Sequence, residues 1–477
     1  MKQQFFLGLI AIAVAAILPA CGGSSGGSSS TPKNVIFFLG DGMGMTTMTA
    51  ARIYKAGEDG SLTMDTLPET AFVKTYSNDA QVTDSAPSMA AYMTGVKMNN
   101  EVVSMSSDTS AYDKTTLSSY VSGADTTCPT TGNGKSVPTL MELAKKSNLA
   151  TGIVTTTRIT HATPAVTYAH LCHRDGENTI AAQLVPNGKE YNAALGDGID
   201  VILGGGLAYF QPKTTTGSKR TDTRDLIAEL QTSGYSFVAK NSELSKVSSS
   251  QKKLVGLFTS SHMNYDLDRI ATAADEPSLA AMTGKAIDLL SSNKNGMFLM
   301  VEGGRIDHAL HETTAKKALQ DTVAFDDAIQ LAIDKMQAID PGLKNTLIVV
   351  TADHDHTMVL NGYAALTGKT TPTNPGILGL LRSYVDNALS LDLSGNAFTI
   401  LGFGNGESRL ATRTALSDAT VAADTYHQEA AIPMAIGSET HGGADVFLGA
   451  IGKGSEKFTG VLLNTEIFGL ILSIFNL

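Results

Sequence analysis

Three apolar runs in this 477-residue chain end in acidic residues, and two of them in histidine as well. Residues 35–39 run into Gly40-Asp41-Gly42. Residues 297–301 lead to Glu302, Asp307 and His311, and residues 347–350 lead to Thr351-Ala352-Asp353-His354. Each run has the length and composition of a buried strand. In open α/β sheets the carboxyl ends of the strands share one edge, and ligands sit there. Carboxylates and imidazoles gathered on that edge would hold metal ions, and more than one. Ser85, in the turn-like stretch Thr83-Asp84-Ser85-Ala86, is the candidate nucleophile for such a site.

The spacings sharpen this reading. Asp307 and His311 are one helical turn apart, which suits two ligands on one ion. Asp353 and His354 are adjacent, as a sharp turn after a strand allows. Asp41 lies between glycines, where the backbone bends tightly. His441 lies in a second flexible stretch, Glu439-Thr440-His441-Gly442-Gly443. Zinc takes histidine and carboxylate ligands and keeps an open position in catalytic sites. Two such ions roughly 4 Å apart stabilise the attacking and leaving oxygens of a phosphoryl transfer. Ser85 at a helix start would meet free N–H groups and the positive end of the dipole, a setting for phosphate. Arg174 offers a two-pronged hydrogen bond to phosphate. Taken singly, each residue has a plainer reading: an aspartate or serine at such a place commonly caps a helix. His170, His173, His262, His356 and His427 read as ordinary surface or core histidines. Gly204-Gly205-Gly206 and Gly402-Phe403-Gly404-Asn405-Gly406 read as turns. The weight lies in independent segments that obey one topological rule.

The elements that must position these groups alternate along the chain. Helices are expected over residues 46–55, 85–95, 138–148, 225–233, 278–292 and 313–339. Strands are expected over 35–39, 150–154, 199–203, 297–301, 347–350 and 398–401. In the longest helix Phe325, Ile329, Ile333 and Met336 share one face. Such alternation predicts an α/β fold, a three-layer sandwich with a central, mostly parallel sheet flanked by helices. Residues 207–277 are polar and read as an excursion from the sheet. Residues 360–440 read as a small subdomain or cap near the site.

Apolar residues are 42% and charged residues 17% of the chain, enough for a large core and too little charge for a disordered polymer. The net charge of −11, with no basic run, argues against nucleic acid or an anionic membrane surface as the main partner. Lys2 precedes an apolar run over residues 5–18, shorter than the ~20 residues that span a bilayer. It fits a signal-peptide core. Leu18-Pro19-Ala20-Cys21 resembles a bacterial lipobox, in which the cysteine is acylated, and residues 22–31 have the composition of a flexible tether. The expected organisation is a signal peptide with lipobox over 1–21, a tether over 22–32, and one catalytic domain over 33–477. That domain carries insertions at about 207–277 and 360–440. Localisation would be periplasmic, or outer-membrane-anchored through Cys21. Export permits a disulfide between Cys128 and Cys172, but spacing alone does not decide it.

Six segments resemble the alkaline phosphatases, in that family's order. They are Asn34-Val35-Ile36-Phe37-Phe38-Leu39-Gly40-Asp41-Gly42-Met43-Gly44, Val82-Thr83-Asp84-Ser85-Ala86, Thr160-His161-Ala162-Thr163-Pro164-Ala165, Val301-Glu302-Gly303-Gly304-Arg305-Ile306-Asp307-His308, Thr351-Ala352-Asp353-His354 and Glu439-Thr440-His441-Gly442-Gly443. The resemblance implies hydrolysis of phosphate monoesters with Ser85 as the nucleophile that becomes a phosphoserine. It implies two zinc ions and one magnesium per subunit. Asp307, His311 and His441 would hold one zinc, and Asp41, Asp353 and His354 the other. Asp41, Thr163 and Glu302 would hold the magnesium, and Arg174 would bind phosphate. It further implies a homodimer. His161 and His308, beside the magnesium ligands, resemble the animal type of the family, since enterobacterial relatives carry Asp and Lys there. Gly256-Leu257-Phe258-Thr259-Ser260 lacks the glutamate that animal enzymes use for an additional calcium, so no calcium site is expected.

Two other readings compete. A phosphodiesterase or sulfatase of the same superfamily would share the ligands. Many such diesterases use threonine as nucleophile, however, and sulfatases use a Cys/Ser-x-Pro-x-Arg motif. Ser85-Ala86-Pro87-Ser88-Met89 has the proline without the arginine. A non-catalytic lipoprotein that binds phosphate or metal would have no need of Ser85 and Arg174 together with the zinc-ligand set.

Overall fold

The computed structural model describes residues 33–477. The proposed signal peptide, lipobox and tether therefore lie outside the described residues. The strand Lys33–Gly40 is buried from Asn34 onward. Successive side chains of a strand point to opposite faces. Phe37 packs on Tyr92 of the helix Ser85–Thr94, while Phe38 packs edge-on against Phe325 of the helix Ala315–Ile339. Helices thus cover both faces of this strand, which is why its apolar run is continuous rather than alternating.

That strand is near the middle of a ten-stranded sheet. Its neighbours are Thr346–Ala352 on one side and Gly296–Gly303 on the other, both parallel to it. Ala150–Arg158 follows, again parallel. Seven of the nine neighbour pairings are parallel. Both antiparallel pairings belong to the strand Val446–Gly452, which lies between Thr346–Ala352 and Glu69–Lys74. The helices Met45–Ala56, Leu279–Leu290 and Ala315–Ile339 pack together on one face. Ser85–Thr94, Leu140–Lys146, Ala162–Ala165 and Asn464–Phe475 form the layer on the other. This is the expected three-layer α/β sandwich. Among the described residues no helix is long and apolar enough to cross a membrane.

Several sequence expectations shift. Residues 207–277 do not simply leave the sheet: Ser236–Val238 and Leu254–Leu257 form its outer strands. Their shortness hid them in a polar stretch. The strand expected at 398–401 starts at Leu401 and runs to Gly406, between Met358–Leu360 and Ala430–Pro433 in a separate three-stranded sheet. Thr399 makes only an isolated bridge to Leu380. The helix expected at 138–148 is Leu140–Lys146, and Pro138 stands before its cap. Cys128 and Cys172 are joined by a disulfide.

Thr139 caps that helix through a reciprocal box with Glu142, and its hydroxyl also donates to the Thr167 carbonyl at 2.7 Å. Thr139→Ala is expected to lower unfolding stability by about 1 kcal/mol. Denaturant titration checks this.

Candidate active site

Register brings the acidic groups together. Gly40 pairs with Gly303 on one side and Ala352 on the other. Asp41 and Asp353 are the next residues of two adjacent parallel strands, so they leave the sheet side by side. Glu302 pairs with Leu39 and, across the next strand, with Thr155. His441 reaches this edge because Val446–Gly452 runs antiparallel, which puts its start beside the carboxyl ends of its neighbour. Gly42 has φ +68, and a Cβ there would lie 2.6 Å from the His356 ring, so only glycine fits this turn.

Ser85 opens the helix Ser85–Thr94, every residue of which is buried. Asp84, not Ser85, is the cap: its carboxylate accepts from the Ala86 N–H at 2.8 Å. The Ser85 hydroxyl is thereby left for other partners. Its Oγ lies 3.4 Å from Asp41 Oδ1 and 3.3 Å from His354 Nε2.

Two clusters that could each hold a metal ion flank this oxygen. In one, His311 Nε2 is 3.3 Å and His441 Nε2 3.6 Å from Asp307 Oδ1, and the two histidine nitrogens are 3.2 Å apart. In the other, His354 Nε2 is 3.3 Å from Asp41 Oδ1 and 3.4 Å from Asp353 Oδ2. Asp41 also faces a third group, with Thr163 Oγ1 3.5 Å from its Oδ2 and with Glu302 and His161 close by. The three imidazoles of the first two groups share one detail. Nδ1 of His311, of His354 and of His441 each faces a backbone carbonyl, those of Glu439, Asp355 and Thr83 respectively. A carbonyl only accepts, so each Nδ1 donates and each Nε2 is the ring atom turned inward. That is the ring orientation a metal ligand needs.

The electrostatics also call for cations. Burial, and then the neighbouring Asp41, push Glu302 up to about 8. The same two causes hold Asp353 well above the usual carboxylate range. Glu302 Oε1 and Asp353 Oδ2 are buried without a hydrogen-bond partner. Buried orphan oxygens on acids that repel one another fit divalent ions. Asp307 differs. Burial would raise it, but the charge and hydrogen bond of His311, with the hydrogen bond from His356, hold it well below the usual range.

His356 is the residue that sequence reading missed, having taken it for an ordinary histidine. Its Nδ1 meets Glu439 Oε2 at 2.5 Å and its Nε2 meets Asp307 Oδ1 at 2.8 Å. Burial opposes its charge, but hydrogen bonds to Asp307 and Glu439 win and push it up to about 10. It lies within the ligand group of Asp307, yet both ring nitrogens are taken, so it orients the carboxylate. Its place two residues after His354 was the only signal in the sequence.

Arg174 aims across the site. Its Nη1 donates to Asp84 Oδ1 at 2.6 Å, and its Nη2 lies 3.0 Å from His161 Nε2. His161 and His308 lie together, ring centroids 5.3 Å apart. His262, also read as ordinary, completes a cluster with them, at 5.2 Å from His161 and 4.2 Å from His308. Burial, then the Arg305 charge, take His308 down to about 3. All these rings are neutral beside the third ligand group.

The alkaline phosphatase family profile matches residues 32–477. The chain belongs to the alkaline phosphatase family. It is 37% identical over 459 residues to the alkaline phosphatase of Gadus morhua, covering 90% of this chain and 88% of that one. It is 37% identical over 473 residues to the tissue-nonspecific alkaline phosphatase of Gallus gallus, covering 91% and 82%. Among solved structures, the alkaline phosphatase of the Antarctic bacterium TAB5 superposes with a TM-score of 0.62 at 25% identity, over 94% of this chain and 98% of that one. The Thermus thermophilus alkaline phosphatase shares the fold, with a TM-score of 0.66 over 96% and 95%. The protein is therefore a metal-dependent phosphoric monoester hydrolase, an alkaline phosphatase by family.

The acid–base state of this edge gives a pH signature. Glu302 has its folded pKa raised to about 8, so its contribution to stability is present at low pH and is lost as pH rises. Asp353 and His356 are raised too and act in the same sense. Above about pH 7.5 the histidines held low by burial are close to neutral in both folded and unfolded chains, since the ordinary imidazole value is 6.5. Chelator-treated protein is expected to melt several degrees lower at about pH 9 than at about pH 7.5, and Glu302→Gln to flatten that slope. Calorimetry across this range tests it. A melting temperature that climbs with pH would contradict the charge assignment.

Proposed function

We propose that Ser85 attacks the phosphorus of a bound monoester, forms a phosphoserine, and is regenerated by water. The observation that carries this is the meeting of Ser85 Oγ with Asp41 and His354 at the buried start of a helix. Asp307, His311 and His441 are assigned to one zinc, and Asp41, Asp353 and His354 to a second. The inward-facing Nε2 atoms support both. Asp41, Thr163 and Glu302 are assigned to a magnesium, in keeping with their all-oxygen donor set. A histidine-to-aspartate variant of the TAB5 enzyme has Mg bound in its M3 site. Bound zinc would ease loss of the serine proton, as it acidifies zinc-bound water to about 7, and would offset charge on the leaving oxygen.

The chain's own groups do the rest. Asp84 keeps the helix start capped, so Ser85 is presented without serving the backbone. Asp84 and His161 fix the Arg174 plane, and its remaining N–H groups take two phosphate oxygens. The leaving alcohol departs opposite Ser85. Water then attacks the phosphoserine from the vacated side, and the two inversions give net retention at phosphorus.

Residues 33–477 are proposed to act as one catalytic unit behind a leader over 1–21 and a tether over 22–32, with Cys21 as lipid anchor and a periplasmic or outer-membrane location. A membrane-bound relative from Bombyx mori supports an anchored form. A homodimer is proposed as well. Large apolar side chains exposed within residues 360–440, including Tyr363, Leu366, Leu393 and Ile436, support a covered face there.

Ser85→Ala is expected to abolish the phosphoenzyme trapped by acid quench and to lower kcat by on the order of a thousandfold or more, with zinc content unchanged. Turnover at the parent level would remove Ser85 from the chemistry. His311→Ala is expected to lower zinc content measured by elemental analysis, and full occupancy would contradict its assignment.

A further inference from the structure

The guanidinium of Arg174 is aimed by a segment with little structure of its own. Residues 166–176, between the helices Ala162–Ala165 and Glu177–Gln183, contain no helix or strand. Their backbone leans on residues 101–103. Leu171 and Val103 exchange both N–H···O bonds at 2.9 Å, and Arg174 N donates to Glu101 O at 2.7 Å. The Glu101 N–H in turn donates to Asp84, the carboxylate that accepts Arg174 Nη1. The direction of Arg174 therefore depends on holding residue 84, residues 101–103 and residues 171–174 in register.

One covalent bond closes this arrangement. Residues 101–103 lead into a long, largely exposed loop, whose only strands are the two-residue Val121–Ser122 and Asp125–Thr126. Cys128 lies in that loop, and Cys172 lies between Leu171 and Arg174's neighbour His173. The disulfide joins the loop to the segment two residues from Arg174, so the chain from 103 to 128, the crosslink and residues 171–172 form a circuit that the Val103–Leu171 hydrogen bonds close. Cys172 is buried. The His173 ring rests edge-on against Tyr112 of the same loop, at 5.9 Å between centroids. A crosslink meant only to staple the fold had many other places to go, and this one abuts the phosphate-facing arginine.

We propose that the Cys128–Cys172 disulfide is a positioning element for Arg174, holding the guanidinium toward Ser85 and so setting affinity for the phosphoryl group. This rests on the reading of Arg174 as the phosphate-binding residue. The crosslink touches neither substrate nor ligand residues and acts only through the segment that carries Arg174.

The test compares four proteins: the parent, Arg174→Ala, Cys128→Ala with Cys172→Ala, and the triple variant. The readouts are competitive inhibition by inorganic phosphate, KM, kcat and zinc content. Arg174→Ala is expected to weaken phosphate inhibition by roughly tenfold or more, as loss of a charged hydrogen-bond donor does. The cysteine pair is expected to weaken it at least roughly threefold, raise KM in step, move kcat less, and leave zinc content unchanged. In the triple variant the cysteine changes should add nothing to the arginine loss. Parent-like phosphate inhibition in the cysteine variant overturns the proposal, as does a further loss in the triple variant. Unchanged inhibition in Arg174→Ala alone overturns the arginine reading, and the proposal with it. Should the cysteine variants not fold, native parent and Arg174→Ala are reduced with a dithiol. The chain gains two thiols, the reagent closes to its cyclic disulfide, and the same comparison is read.

Discussion

Four carboxylates, Asp41, Glu302, Asp307 and Asp353, are buried at one edge of one sheet. Ionised acids this close in a low-dielectric interior repel strongly and lose their hydration. Much of the surrounding structure answers that constraint. Asp353 takes the N–H groups of Gly42 and His354 at 3.0 Å on one oxygen. Glu302 takes the hydroxyls of Thr155 and Thr157. Asp307 is matched by His356 and His311. What stays uncompensated are the inward oxygens, and those define where ions belong. The charges are tolerated because the parallel strands stop together, which leaves the acids at a mouth rather than inside the sheet.

Much of the rigidity around Asp307, His311 and His441 comes from one residue. Glu439 accepts from His356 through its carboxylate, takes the Thr357 N–H at 2.7 Å, and through its carbonyl receives the Nδ1 hydrogen of His311. It therefore orients His311 directly and Asp307 through His356. The short pairing of Asp355–His356 with His441–Gly442 locks the same region from a second direction. Such supporting contacts fix ligand geometry as much as the ligands do.

Much of this was legible in the sequence, because a strand covered on both faces must be apolar at every position. The runs before Asp41, Glu302 and Asp353 declare themselves that way, and they are the three central strands. Their ends then predict the edge. What stayed hidden depends on distant pairing. His356 looks like any histidine until Glu439 and Asp307 are seen on either side of it. Val446–Gly452 gives no hint that it runs against its neighbours, yet that direction alone brings His441 to the edge. Asp84 and Ser85 are equally good caps by type, and only the bond to Ala86 decides between them. The disulfide was open for the same reason, since its ends are 44 positions apart, with two helices and a strand of the sheet between them.

The antiparallel strand has a bearing on how the enzyme comes into being. His441 hydrogen-bonds to the Thr83 carbonyl across 358 residues of chain. No fragment emerging from the ribosome or from a secretion channel holds this pair until nearly the entire polypeptide has been delivered. Contacts between remote parts of a chain form slowly, because long loops must close first. The edge around Ser85 is thus completed only when synthesis is all but finished, and a product cut short before residue 441 would lack the His441 side of it.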